Sequence, residues 1–505
     1  MLGEKAAKDG WGNSRSSNFS RNLDFSRPLD VHRWSDHPEA HALIARVYEQ
    51  CFADLRPNIR RPGKRPLGDP NRQLKVLLLD LYLAWANDPN LSVGVQMSKR
   101  GYRAGSRYNA LHISPVMIEL VHRAHRVGLI GLWKGNEYSK RVTRIWAAEP
   151  LLKLFREASF GVHDIITHPD RETVILSPDK EDKITLRGVN RYVEYDDTAE
   201  TIAMRKSMQR YNVLLNQTFI DNPRLEDNVV LRPAKASNER DRLVYLDQAH
   251  KFSRRIFYRG RWDLGGRIHG GFWQRLPEDA RSQLYINDLP TVEDDYTGTH
   301  VALLYGIEGR PLLDDPYNLN ISSTFDPSQV RNWVKSLVLI SINAASERSA
   351  FNAFRQGQPT GSPAKRFTNV ELSKMLQAFK RQHTAIARYL CSDKGVELMA
   401  IDGRITARII DEFTNEGVPV LTVFDSYIVG GQHANELRSA MRVAMDAEVP
   451  GAATNYDRAG APYERLIMKA HPHTGDAVIL ADGIFNVRRT EGYKARRDAF
   501  YDRRQ

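Results

Sequence analysis

The sequence has only two cysteines, Cys51 and Cys391, in 505 residues. That scarcity excludes a disulfide framework and a cysteine-built zinc site, so any bound metal has to be held by oxygen or histidine. No stretch approaches the ~18 to 20 uncharged apolar residues that a membrane span requires. The opening MLGEKAAKDGWGNSRSSNFS lacks the apolar core of a signal peptide, and no internal repeat is visible. These absences predict a soluble, cytoplasmic protein with no membrane partner.

What is present points to polyanions. Lys and Arg number 73 against 61 Asp and Glu, a net charge of +12. A surplus of that kind favours phosphate contacts through counterion release, which makes nucleic acid the first candidate partner. The chain is long enough for two or three domains.

Residues 1–70 are rich in Ser, Asn, Arg and Pro and read as an irregular basic arm. From Asn71 the run QLKVLLLDLYLAWA predicts a helix, and Ser114-Pro115 opens another through VMIELVHRAHRVGLI. LIGLW and RVTRIWA then form two strand-like runs around KGNEYSK. Helices followed by a basic hairpin resemble a winged helix-turn-helix over 71–155, as in replication initiators and repressors. The resemblance implies a helix in a groove, with Lys134, Lys140, Arg141 and Arg144 on phosphates. Residues 156–250 read as a linker with thumb-like helices, including an amphipathic one from Thr198 to Phe219.

Three segments of the C-terminal half carry chemistry by their order. In PTVEDDYTGTHVALLYG a strand ends at Glu293, Asp294 and Asp295, and a helix follows from about Thr299. In VPVLTVFDSYIVGG, two short apolar runs flank Phe424-Asp425-Ser426 as a buried hairpin would. A carboxylate amid so much β-forming apolar sequence is costly unless paired or metal-bound. Two such carboxylates on neighbouring strands are what phosphoryl-transfer enzymes use to hold a pair of Mg²⁺ or Mn²⁺ ions. Between them, the helix opened by Asp326-Pro327 places Arg331 and Lys335 four residues apart on one face.

This order resembles the palm and fingers of family A DNA polymerases and the related phage single-subunit RNA polymerases over 251–450. Asp295-Tyr296 resembles motif A, Arg331-x3-Lys335 resembles motif B, and Phe424-Asp425-Ser426 resembles motif C. Asp263-Leu-Gly-Gly266-Arg267 resembles the DxxGR element of the RNA enzymes. The resemblance implies an α+β fold: a right-hand-like palm, an antiparallel sheet with helical fingers and thumb, after the winged-helix-like domain. It implies Asp295, Asp425 and Tyr296 as metal ligands, with Asp294 as a fallback. Lys335, Arg331, His300 and Asn343 would surround the incoming nucleoside triphosphate. Asp263, Gly266 and Arg267 would lie on the template or primer.

The chain departs from the family at Asn343 and Ala344, where motif B has Tyr-Gly, and at Phe424, where motif C has His. His300 stands where the DNA enzymes carry a bulky Glu and the RNA enzymes a Gly, which leans the reading to dNTPs. The alternatives are an RNA polymerase or primase on the same palm, or a non-catalytic DNA-binding replication initiator. Residues 451–505 would be a palm extension ending in RRTEGYKARRDAFYDRRQ, a tail suited either to nucleic acid or to solubility.

Overall fold

The computed structural model describes residues 22–55, 69–135, 141–179, 192–234, 240–296, 298–312, 315–319, 321, 323–450 and 487–502. The first unit is organised around a helix that has almost no exposed side. Strands β1 (Ser26–Pro28) and β2 (Arg33–Trp34) and helix α1 (Pro38–Cys51) precede α2 (Pro70–Asn87), which Asp69 caps and Pro70 starts. In α2 the residues from Gln73 to Ala84 are all buried, so neighbours cover it on every face. Ala40, Leu43, Ile44 and Val47 of α1 belong to the same core. The unit therefore begins by residue 22, and the part of the 1–70 arm that is described is structured rather than irregular.

LSVGV, with β-branched Val93 and Val95 facing the core, forms β3 (Ser92–Val95). Helix α3 (Val116–Arg126), the hairpin β4 (Ile130–Trp133) and β5 (Thr143–Ala147), α4 (Glu149–Glu157) and β6 (Ile166–Thr167) complete the unit. The sheet order is β1-β3-β5-β4, so the hairpin expected as a wing is there and β3 lies against its second strand. Between β3 and α3 the chain makes turns and a single 3₁₀ turn (Lys99–Gly101) instead of a full helix.

The described residues of 156–250 form packed elements. Strand β7 (Val174–Leu176) runs parallel to β11 (Ser253–Phe257), and α5 (Ala199–Asn216) buries Met208, Tyr211 and Leu215 in the second, larger core. The Tyr211 hydroxyl donates to Val420 O at 2.6 Å, which ties α5 to the larger core. Strands β8 (Ile220–Asp221), β9 (Val229–Arg232) and β10 (Arg242–Tyr245) follow. After β11 come β12 (Gly265–Gly270), β13 (Tyr285–Ile286) and β14 (Leu289–Asp295).

Helices α6 (Thr299–Ile307), α7 (Pro327–Asn343), α8 (Glu347–Gly357) and α9 (Asn369–Gln382) come next. Of these, α7, α8 and α9 pack together around Trp333, Phe351, Phe354, Leu376 and Phe379. Then α10 (Gly395–Asn415), the hairpin β15 (Leu421–Val423) and β16 (Ser426–Gly430), and α11 (Ala434–Glu448) complete the core. The main sheet is antiparallel in the order β15-β16-β14-β13-β8. The fold is thus mixed α+β with small sheets.

Residues 451–486 lie outside the described residues. The terminal helix α12 (Glu491–Asp502) docks by Tyr493 and Phe500 on Phe219, and its basic residues pair with Asp221 and Asp288. The described part of the tail is therefore a packed element. Among the described residues no helix is long and apolar enough to cross a membrane.

Candidate active site

Strand β14 alternates its side chains, and the alternation sorts its three acids. Asp294 is buried against α11 and accepts from Arg438 Nε at 3.2 Å. It is thereby removed from the fallback role. Glu293 lies on the opposite face, held by Arg281 at 2.8 to 3.0 Å and by the Ser426 hydroxyl at 2.5 Å. Asp295, two residues on, shares that face and is open to solvent.

Strand β16 brings the second carboxylate. Asp295 is opposite Ser426 in the ladder, and Tyr296 N donates to Asp425 O at 3.3 Å. Asp425 sits in the two-residue loop joining β15 to β16, whose first residue, Phe424, has φ of 60°. Such a loop ordinarily takes glycine there, and a bulky residue at positive φ costs on the order of 1–3 kcal/mol. The Phe424 ring is engaged, edge-on to His269 at 5.7 Å and with the Arg267 guanidinium 5.5 Å from its centre. Thr299, at the start of α6, donates to Asp425 Oδ2 at 2.6 Å and aims that carboxylate.

The local field is negative. Partial burial in the cleft, then the charges of Asp425 and Glu293, raise the Asp295 carboxyl above its ordinary range, and Lys335 offsets them. Because Asp295 remains open to solvent, screening moderates this shift. Lys335 is exposed on α7 and has no ion pair among the described residues. Arg331, one turn earlier, is paired with Asp315 and lies 5.9 Å from the Tyr317 ring centre. The Tyr317 hydroxyl is buried and has no hydrogen-bond partner among the described residues. Asn343 is not brought to this cluster: eight residues beyond Lys335, about 12 Å along the helix, it donates to Leu339 O at 2.8 Å and ends the helix.

The glycine-arginine element splits. Gly266 has φ of +80°, and a Cβ there would lie 2.8 Å from the Phe257 ring, so glycine is required. Arg267 points inward. It donates through Nε to Asp402 of α10, and its NH2 is 3.1 Å from His300 Nε2. Guanidinium only donates, so His300 Nε2 accepts and the ring proton resides on Nδ1. Burial, then Arg267, lower His300 to about 4, and the ring is neutral at pH 7. Asp402 is 1% exposed and raised to about 6 by burial, with Arg267 opposing. Two of the three Arg267 nitrogens are thus used inside the protein. Asp263 stays outside on an exposed turn, paired with Arg261 at 2.5 Å.

Asp402 carried no motif in the sequence. Its signal was the next residue: a Cβ on Gly403 would meet Gly266 O at 2.4 Å, so α10 has to press on β12 at that point.

The wing residues lie in the other unit. Lys134 is exposed, Arg141 pairs with Asp24 at 2.7 Å, and Arg144 donates to Leu23 O and Val142 O. Lys140 lies outside the described residues.

Compared with known proteins, the chain matches no family model, no curated protein and no solved structure. Among the described residues no three His, Cys, Asp or Glu side chains converge as a metal site. The hard oxygen donors at this end of the sheet are the Asp295 and Asp425 carboxylates, with the Tyr296 carbonyl beside them. The Tyr296 phenol is excluded as a ligand, because it is buried and donates to Met441 O at 2.5 Å, which leaves only its carbonyl. Two hard, mutually repelling carboxylates beside a carbonyl suit a cation that keeps several waters, as Mg²⁺ does.

Proposed function

We propose that the chain is a template-directed nucleic-acid polymerase, adding nucleotides to a 3′-hydroxyl, with dNTPs as the preferred substrates. The observation that carries this reading is the meeting of Asp295 and Asp425 at the end of β14 and β16, with unpaired Lys335 acting on Asp295 from α7. Asp295, Asp425 and the Tyr296 carbonyl would hold divalent cations. Bound there, such ions would supply a lowered pKa for the attacking hydroxyl and charge neutralisation on the phosphates and the leaving pyrophosphate.

The protein's own part is positioning. Thr299 orients Asp425, and Ser426 and Arg281 hold Glu293 behind the pair. Lys335 presents a point charge toward a triphosphate. The Arg267–His300 contact fixes imidazole bulk near the carboxylates, which supports the lean to deoxyribose.

Primer extension with dNTPs or NTPs, with and without template, is the test. Asp295→Asn and Asp425→Asn should each reduce turnover roughly 10²–10³-fold, the scale for losing one electrostatic stabiliser of a transition state. Mg²⁺ should raise the melting temperature of the wild type and of neither variant, since only the wild type gains relief from carboxylate repulsion. A wild type without template-dependent extension from either nucleotide set would sink the proposal.

A further inference from the structure

A second constellation lies apart from the carboxylates. A pocket of about 330 Å³ opens where the first unit meets β11 and β12, with Asp30 and Thr167 on one side and Arg254 and His269 on the other. Arg171 and Arg275 complete its charged lining. Arg171 pairs with Asp30 at 3.4 Å and stands over the Phe252 ring at 4.4 Å. Neither Arg254 nor Arg275 has a hydrogen bond or ion pair from its side chain to another described residue, and Arg254 Nε is buried without a partner. Asp30, the one acid in the lining, is already shared by Arg171, Arg33 and His32. Asp247 acts on Arg275 from beyond ion-pair distance.

Three guanidinium groups around one cavity repel each other and leave donors unused. A fold tolerates that arrangement where an anion completes it. The histidines agree with a positive interior: burial first, then neighbouring arginines, push His250 down to about 3 and His269 to about 4. Gly270, at a φ of +136°, lets β12 approach the backbone at the start of β11 beside the pocket, since a Cβ there would lie 2.1 Å from Phe252 O.

We propose that this pocket binds a backbone phosphate of a nucleic-acid strand. Arginine forks match phosphate oxygens in pairs, and the volume admits a phosphate with part of its sugar. Location favours a strand over a free nucleotide. His269 lines the pocket and stands edge-on to Phe424, the neighbour of Asp425, so a strand anchored here leads to the carboxylate pair. The assignment goes beyond the polymerase reading and does not require Asp295 or Asp425 to be catalytic.

The test is fluorescence anisotropy of a labelled primer-template duplex on the full-length protein, over a salt series. Arg254→Gln and Arg275→Gln should each weaken binding about tenfold, the scale of a hydrogen bond to a charged group. The double variant should lower the log-log salt slope by about 1. Arg275→Lys, which keeps the charge, should retain most of the slope, and exposed Arg381→Gln should match the wild type. Melting temperatures should hold or rise in the Gln variants, because clustered positive charge is removed. Mg²⁺-dTTP affinity should be unchanged. A fall in dTTP affinity with duplex binding intact would transfer the pocket to free nucleotide and overturn the strand assignment. Unchanged duplex binding in the Gln variants, or an equal loss in Arg381→Gln, would overturn the pocket itself. Asp425→Asn should leave duplex affinity intact, which separates failure of this site from failure of the polymerase reading.

Discussion

The terminal helix and the cleft at the end of β14 handle charge in opposite ways. On and beside α12, Arg489, Arg496 and Arg497 are matched to Asp288 and Asp221, and Lys494 to Glu491. In the cleft, Asp295 faces Asp425, and among the described residues Lys335 has no ion pair and Arg254 and Arg275 of the adjoining pocket have no side-chain partner. Much of the described basic tail thus serves to hold the fold. A net charge of +12 favours a class of partner and says nothing about a place of binding.

The largest effect that would sharpen this contrast is a loss of stability with no loss of chemistry. Asp221 is fully buried, and its carboxyl is raised by burial, with Arg496 at 2.8 Å opposing. Removing one partner of a buried pair strands the other charge, at a cost of about 3 kcal/mol. Arg496→Ala should therefore lower the melting temperature by several degrees and leave turnover intact below the transition. An unchanged melting curve accompanied by weaker duplex binding would reverse the two regions' roles.

Lys335→Ala is the complementary change. Turnover should fall about 100-fold, on the scale of losing one preorganised charge, with primer-template affinity nearly unaltered. Equal losses in affinity and turnover would move Lys335 from the triphosphate to the template.

A pH series probes Asp402, which joins the cleft to its support. Its folded pKa of about 6 lies above the unfolded value, so the folded state holds this proton more tightly. Its contribution to stability is therefore present at low pH and lost as pH rises through about 6. Activity runs the other way, since only the carboxylate balances Arg267. Wild-type turnover should decline below about pH 6, and Asp402→Asn should flatten that limb. The wild type should also lose stability relative to the variant as pH rises from about 4 to about 6. A limb that persists in the variant would clear Asp402 of this role.

Pattern in the sequence located what period and chemistry encode locally. The helix from Asn71 and the hairpin around Phe424-Asp425 follow from apolar spacing and β-branched runs. What stayed hidden depends on distant approach. Asp402 meets Arg267 across 135 residues because two glycines let a helix press on a strand. Asp294 and Asp295 are indistinguishable as neighbours, and only strand alternation against α11 sends one to Arg438. Asn343 shares α7 with Lys335, but the helix rise carries it away. The arginine pocket needed residues from 30 to 275 brought together, which no local motif records.

The smallest expected effect concerns the sugar. His300 cannot turn freely: its Nε2 is 3.1 Å from Arg267 NH2, its Nδ1 is buried with no partner among the described residues, and the ring is neutral at pH 7. A ring held in that way acts by volume. Overlap with a 2′-hydroxyl outweighs the roughly 1 kcal/mol that a new hydrogen bond returns. His300→Gly should therefore raise NTP use relative to dNTP use by about tenfold, the discrimination expected from a modest change in pocket volume. Total turnover should fall as well, because Arg267 loses an acceptor. Only the ratio reports on the gate. Single-nucleotide incorporation by wild type and His300→Gly, in matched dNTP and NTP series, measures it. An unchanged ratio, or a wild type that already prefers NTPs, would leave His300 as a support for Arg267 and assign sugar choice elsewhere in the cleft.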